Sequence, residues 1–222
     1  VTHTENARTT TECCTMSKGS KKYERDDLRM AVTQLFETET QRRIITYTLD
    51  EMEDGEWYRT GTIADDVGKS RNAVTDVIQP KEGVIGPMIR FGVVEPKHNV
   101  MNMPNIPHYK KADSPVIDLL EQWNGVDLTE LFATTTAQQL FAFFAFEQDD
   151  EAYSLNQIRH IGPFGFNAVK QNIGLLVDSG LLTEEDTART TVYRLDTSSA
   201  IYQFLGELNA AIMESAESYE RS

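Results

Sequence analysis

Leu131-Phe132-Ala133-Thr134-Thr135-Thr136 is a second version of Leu35-Phe36-Glu37-Thr38-Glu39-Thr40, which stands 96 positions earlier. The likeness continues outward from both. Asn72-Ala73-Val74 returns as Asn167-Ala168-Val169, and Gly92-Val93-Val94 returns as Gly180-Leu181-Leu182. Tyr109 and Ser114 return as Tyr193 and Ser198 at a spacing of 84, so the first copy carries extra loop residues. A repeat of this length is a duplicated domain rather than a solenoid unit. The chain of 222 residues has room for two domains of about 100 residues each. The expected division is a flexible tail over 1–22, a first domain over 23–125 and a second over 126–222.

Composition narrows the classes further. An apolar content of 40% supports ordinary cores. No window approaches the roughly 18 uninterrupted apolar residues of a membrane span. Val1 to Ser20 is polar and lacks the apolar centre of a secretory signal, so a cytoplasmic location is expected. The only cysteines, Cys13 and Cys14, are adjacent in that tail. Vicinal cysteines make poor structural disulfides, and no third cysteine completes a metal site, so neither a metal nor a cofactor is expected. Met16 reads as the natural start, with Val1 to Thr15 foreign to it. The four histidines are scattered at 3, 98, 108 and 160, and there is no Gly-rich phosphate loop. Asp65-Asp66 and Asp149-Asp150 read as solvated turn and helix acids. An enzyme is not expected.

The net charge is −14, from 35 acids against 21 bases, of which nine are lysine. A nucleic-acid binder ordinarily shows a basic footprint. Either the partner is not nucleic acid, or the protein works in very high salt, where charges are screened within about 3 Å at 1 M. The low lysine content favours the second explanation, a halophile.

Periodicity orders the elements. Leu28, Val32, Leu35 and Phe36 share one helical face over 26–36, and Thr38 or Thr40 caps a second helix carrying Ile44, Ile45 and Leu49. Trp57-Tyr58 is a short extended piece, and Thr60 or Thr62 opens a helix that Gly68 ends. Ser70 caps the next, which Gln79-Pro80-Lys81-Glu82-Gly83 breaks before Ile85 to Phe91 resume it. Ser114-Pro115 opens a helix to Trp123. In the second copy, helices are expected over 136–146, 155–161 and 164–179. Leu181 to Glu184 and Thr190 to Leu195 alternate like the arms of a hairpin. Ser198 caps a last helix bearing Ile201, Phe204, Leu205, Leu208 and Ile212 on one face.

Each copy thus runs helix, short strand, helix, turn, helix, hairpin, helix. Together with Tyr153-Ser154-Leu155-Asn156-Gln157-Ile158, Asn167-Ala168-Val169-Lys170, Leu175 to Leu182 and Val192-Tyr193-Arg194-Leu195, this order resembles the winged helix-turn-helix of MarR- and ArsR-like archaeal, here haloarchaeal, transcriptional regulators. In the first copy Ile63-Ala64, Ser70 to Val74 and Gly92-Val93-Val94 carry the likeness, and the insert from Gln79 to Val84 departs from it. The fold class implied is mainly α with small β-hairpin wings (α+β), in two tandem winged-helix domains. The function implied is a sequence-specific transcriptional regulator reading double-stranded DNA.

In such a module one helix crosses the DNA backbone and holds a second in the major groove, where base edges are distinguishable. The resemblance gives the reading role to Lys69, Ser70, Arg71, Asn72 and Thr75 in the first copy and to Asn167, Lys170 and Gln171 in the second. Arg suits guanine and Asn adenine. Lys97 and His98 in the first wing and Arg189 in the second are placed for phosphate or the minor groove. Gly68 to Lys81 and Val93 to Ala112 each net +2, whereas Leu181 to Leu195 nets −1. The terminal helix implies a homodimer through Ile201, Phe204, Leu205, Leu208 and Ile212, presenting reading helices to successive half-sites. Two other classes stay open: an acidic tandem winged-helix adaptor that binds protein, as in chromosome segregation, with the second domain as the binding surface, and a plasmid or viral replication or partition protein.

Overall fold

The computed structural model describes residues 31–79, 85–97, 107–147, 151–162 and 164–220. It is an α+β structure with two small three-stranded antiparallel sheets. The first half runs α1 (31–35), α2 (Glu39–Asp50), β1 (Tyr58–Arg59), α3 (Thr60–Asp66), α4 (Arg71–Ile78), α5 (Pro87–Arg90), β2 (Val94–Pro96), β3 (His108–Lys111) and α6 (Pro115–Gln122). The second runs α7 (Leu128–Leu131), α8 (Thr135–Glu147), β4 (Tyr153–Ser154), α9 (Leu155–Ile161), α10 (Phe166–Asp178), β5 (Leu182–Asp186), β6 (Thr191–Leu195) and α11 (Ala200–Glu220). The sheet orders, β1-β3-β2 and β4-β6-β5, are the same arrangement twice. Tyr58 lies opposite Tyr109 in one and Tyr153 opposite Tyr193 in the other, so the repeated tyrosines hold corresponding registers.

Local chemistry explains where helices begin. Thr38 Oγ1 accepts from the Gln41 N–H while Gln41 Oε1 accepts from the Thr38 N–H, and Ser154 and Gln157 form the same capping box at α9. Each box satisfies two backbone donors that a helix start leaves orphaned. Ser114 Oγ accepts from the Ile117 N–H and donates to the Gly92 carbonyl at 2.6 Å, tying α6 to the turn that precedes β2. That turn needs φ +72 at Gly92, as its counterpart needs φ +79 at Gly180, a region where a side chain is strained.

Several sequence expectations shift by a residue or a turn. The last helix is capped by Ser199, whose Oγ accepts from the Tyr202 N–H, while Ser198 bonds the Asp196 carboxylate instead. That helix runs to Glu220. The short helix α7, with Asp127 accepting from the N–H groups of Thr129 and Glu130, has no periodic signal in so few residues. Residues 26–30, His98, Asp149-Asp150, Pro163, the tail and 80–84 lie outside the described residues.

The first half divides what the second keeps whole. One 13-residue helix, α10, corresponds to α4 plus α5. At the rejoining point the Gly86 N–H bonds the Ile78 carbonyl at 2.8 Å. A Cβ at Gly86 would stand 2.4 Å from that oxygen, so the approach requires glycine.

One hydrophobic core runs through both halves. At its centre Phe36 and Phe132, equivalent in the repeat, stack with centroids 5.6 Å apart. Arg42 and Gln138 are also equivalent, 96 positions apart. Arg42 Nη1 donates to the carbonyls of Phe36 (2.6 Å) and Phe132 (3.3 Å), and its Nη2 to that of Ala133 (3.0 Å). Gln138 Nε2 donates to Phe36 (3.1 Å) and Phe132 (2.8 Å). Each half therefore sends a side chain from the same helical position onto the same two loops, and the junction is pseudo-two-fold. Trp123, which ends α6, stacks on Phe204 of α11 at 4.3 Å, extending the contact to the terminal helices. Ile201, Phe204, Leu205, Leu208 and Ile212, expected to meet a second chain, are all buried within this one. Their face is covered by the chain's own first half.

Candidate nucleic-acid interface

In the first half α4 is held at both ends. Ser70 Oγ accepts from the Ala73 N–H, so this residue shapes the helix start. At the other end the Tyr109 hydroxyl, from β3, donates to Gln79 Oε1 at 3.1 Å. Burial pushes the Tyr109 hydroxyl up to about 12, so it remains a donor far above neutral pH. Val74 and Ile78 face the core. At 3.6 residues per turn the opposite face carries Asn72 and Asp76, while Arg71 falls on the Val74 and Ile78 side and is exposed because it opens the helix. Asp76, which the residue pattern did not single out, adds an acceptor to the Arg and Asn donors.

Two of the expected readers are engaged elsewhere. Lys69 Nζ pairs with Glu39 of α2 at 2.8 Å, and that bond, reinforced by Arg43, holds the Glu39 carboxyl below its usual range. Thr75 Oγ1 donates to the Arg71 carbonyl at 2.8 Å, a bond made within the helix itself. Arg71 and Asn72 are exposed, and neither forms an ion pair with another described residue.

The hairpin of the first half concentrates cations around an aromatic ring. Lys97 Nζ lies 5.5 Å and Lys110 Nζ 5.6 Å from the Trp57 ring centroid. Both distances fall in the range of a cation–π attraction. Lys110 also pairs with Glu95 at 3.1 Å. Arg59 Nε donates to His108 Nε2 at 3.3 Å across the β1–β3 pair. Lys111, by contrast, is held by Asp54 (2.6 Å) and Glu121 (2.9 Å), which raise its ammonium above its ordinary value. Trp57 and Arg59 escaped the sequence reading because only the strand register brings them beside the lysines.

The second half presents a different surface. Val169, Asn172, Ile173 and Leu176 bury one side of α10. The outward side carries Asn167, Gln171, Gly174 and Asp178, with Lys170 beside them, and Asn167, Lys170, Gln171 and Asp178 are exposed. A Cβ added at Gly174 would meet nothing within 4 Å, so the helix backbone is open there to close approach. Arg189 is exposed in the turn of the β5–β6 hairpin, which the Thr187 N–H closes onto the Thr190 carbonyl at 2.9 Å. Glu184, Glu185 and Asp186 are exposed on β5. Ile161, Phe166 and Leu175 are large apolar side chains left exposed on α9 and α10.

No family model, curated protein or solved structure matches the chain. Among the described residues there is no cluster of metal-ligating side chains, and no helix is long and apolar enough to cross a membrane.

Proposed function

We propose that this chain is a tandem winged-helix protein that binds double-stranded DNA in a sequence-specific way and regulates transcription. In this reading α3 and α9 cross the backbone, α4 and α10 enter the major groove, and the β2–β3 and β5–β6 hairpins are the wings. The observation that carries it is the duplication itself. Two halves of the same element order, joined across a pseudo-two-fold junction, each leave an outward polar face on the helix that this module uses for reading. Arg71 and Asn72 offer donors to guanine and adenine, Asp76 accepts from cytosine, and Asn167 and Gln171 suit adenine. Lys97, braced on Trp57, supplies a phosphate contact in the first half, and Arg189 supplies one in the second.

The pairing that such regulators make between two chains is here made within one. A single chain then spans two half-sites, and because the two reading faces differ, the half-sites differ too. With few cations on these faces among the described residues, the protein in this reading makes few phosphate contacts. Each neutralised phosphate adds about 0.9 to the slope of log affinity against log salt, so binding in this reading is weakly salt-dependent and persists in molar salt. The test is selection from a random duplex pool in molar salt, followed by titration of the enriched duplex and a scrambled one. Enrichment of one sequence with a shallow salt slope supports the reading. Equal binding of both duplexes, or of neither at any salt, overturns it.

One observation favours a second reading for the second half alone. Ile161 and Phe166 lie exposed where α9 ends and α10 begins, an apolar spot suited to a protein partner. If base preferences map only to the α4 half, that half is the reader and the other is an adaptor.

A further inference from the structure

The two halves meet along a groove of about 450 Å³ between α2, the end of α6 and α7. Its apolar lining includes Ile45 and Leu49 from α2, Leu120 and Trp123 from α6, and Val126 from the linking turn. The wall at Trp123 is built rather than incidental. The indole Nε1 donates to the Val126 carbonyl at 2.8 Å, and the ring lies so close over Gly125 that a Cβ there would stand 2.1 Å from it.

The charged side chains that line this groove have one sign, with Lys111 held against Glu121 behind it and Arg42 and Arg43 in the adjoining cavity that Asp50 also lines. Asp50, Glu121 and Asp127 line it, and no Lys, Arg or His does. Two of these acids are already engaged. Glu121 accepts from Lys111 at 2.9 Å, and Asp127 caps α7. Asp50 is exposed, at the last position of α2, and forms no ion pair with a described residue. A compact, strongly hydrated cation gains little from apolar walls, and an organic anion is repelled by the rim. An organic cation of low charge density satisfies both: its body displaces water from the apolar walls while its charge faces Asp50.

We infer that this groove is a binding site for a lipophilic organic cation. Trp123 also stacks on Phe204 of α11, so an occupant touches the contact that joins the terminal helices of the two halves. The site stands independently of the DNA reading, because it is measured with the small molecule alone.

The chain has two tryptophans, so a Trp57→Phe variant leaves Trp123 as the sole indole reporter. The probes are tetraphenylphosphonium and tetraphenylborate, alike in size and shape and opposite in charge, titrated in sodium chloride solution. The expected result is a saturable change in Trp123 emission with the phosphonium only. Asp50→Asn should weaken it about tenfold, the scale of losing one close charge contact. Glu185→Gln, which removes the same charge from the distant hairpin, should leave it unchanged. Equal binding of both probes would show a merely apolar groove. Equal weakening by Asp50→Asn and Glu185→Gln would show a general attraction to an acidic protein. Either result, or no saturable signal, overturns the inference.

Discussion

The two halves share a skeleton and differ at the surface. In the second, α10 is one unbroken helix whose outward side is polar, with Lys170 beside it and Asp178 at its end. In the first, the same element is divided into α4 and α5, and the exposed end carries Arg71 and Asn72 with Asp76 in the next turn. The hairpins diverge more. One gathers Lys97 and Lys110 around Trp57, and the other exposes three consecutive acids on β5. What did not diverge is the junction geometry: Phe36 against Phe132, and a long polar side chain from each half on the same two loops. Duplication left the packing constrained and the faces free to specialise, as expected where cores are close-packed and surfaces are not.

The comparison breaks most directly at the junction. Phe132→Ala should cost about 3–5 kcal/mol, the usual range for deleting a buried aromatic, and Phe36→Ala about the same. Chemical denaturation followed separately in the two halves should show both weakening together. Destabilisation confined to one half would mean that the shared core does not couple them.

Next come the faces proposed to read DNA. Arg71→Ala should cost about 1–3 kcal/mol at one base position of the first half-site, the size of a lost bidentate contact. Asn167→Ala should act only at the second half-site. Lys69→Ala should have little effect on base preference, since its ammonium already serves Glu39. Base-by-base binding profiles of the three variants on a selected duplex make the distinction, and a specificity change from Lys69→Ala would contradict it.

The caps give a smaller effect and a matched pair. Thr38→Ala and Ser154→Ala each remove the side-chain half of a capping box and should each cost about 1 kcal/mol. Thermal unfolding of both variants checks whether equivalent helix starts in the two halves are equally important.

The finest test uses the paired tyrosines. Tyr109→Phe loses the hydrogen bond to Gln79 and should cost about 0.5–1.5 kcal/mol, whereas Tyr193→Phe should cost less. A pH dependence accompanies this. The folded-state value of Tyr109 is raised to about 12, above the ordinary value near 10. The folded protein therefore holds a proton that the unfolded chain releases, and stability falls as pH rises from about 10 to about 12. Burial also raises Tyr47 and Tyr193, so Tyr109→Phe should reduce that alkaline loss without abolishing it. An unchanged alkaline profile would remove Tyr109 from the account.

Much of the skeleton was legible because it rests on local chemistry. Ser70 ahead of an apolar-periodic run, Tyr153-Ser154 followed by Gln157, and alternation over 181–195 each announce an element by a mechanism acting within a few residues. The single-turn helix α7 was missed because four residues hold no period, and the cap was misassigned from Ser199 to Ser198 because either serine suits the position. The apolar stripe of α11 was correctly seen as a packing face, but sequence does not say what covers it, and the first half does so here. The candidate site was less legible still. Glu39 captures Lys69 from thirty residues away, and Trp57 joins Lys97 and Lys110 only through strand register. The junction was the least readable of all, since Arg42 and Gln138 share a position in the repeat but not a chemistry.

The central claim is that one chain, through its internal pair, reads two unlike half-sites on double-stranded DNA. Hydroxyl-radical footprinting of the selected duplex in molar salt, with the bound stoichiometry measured on the same sample, tests it most directly. The account predicts one chain per duplex and two protected segments of different sequence, about one helical turn apart centre to centre. A palindromic site held by two chains, or a chain that protects no DNA sequence at any salt concentration, would contradict it.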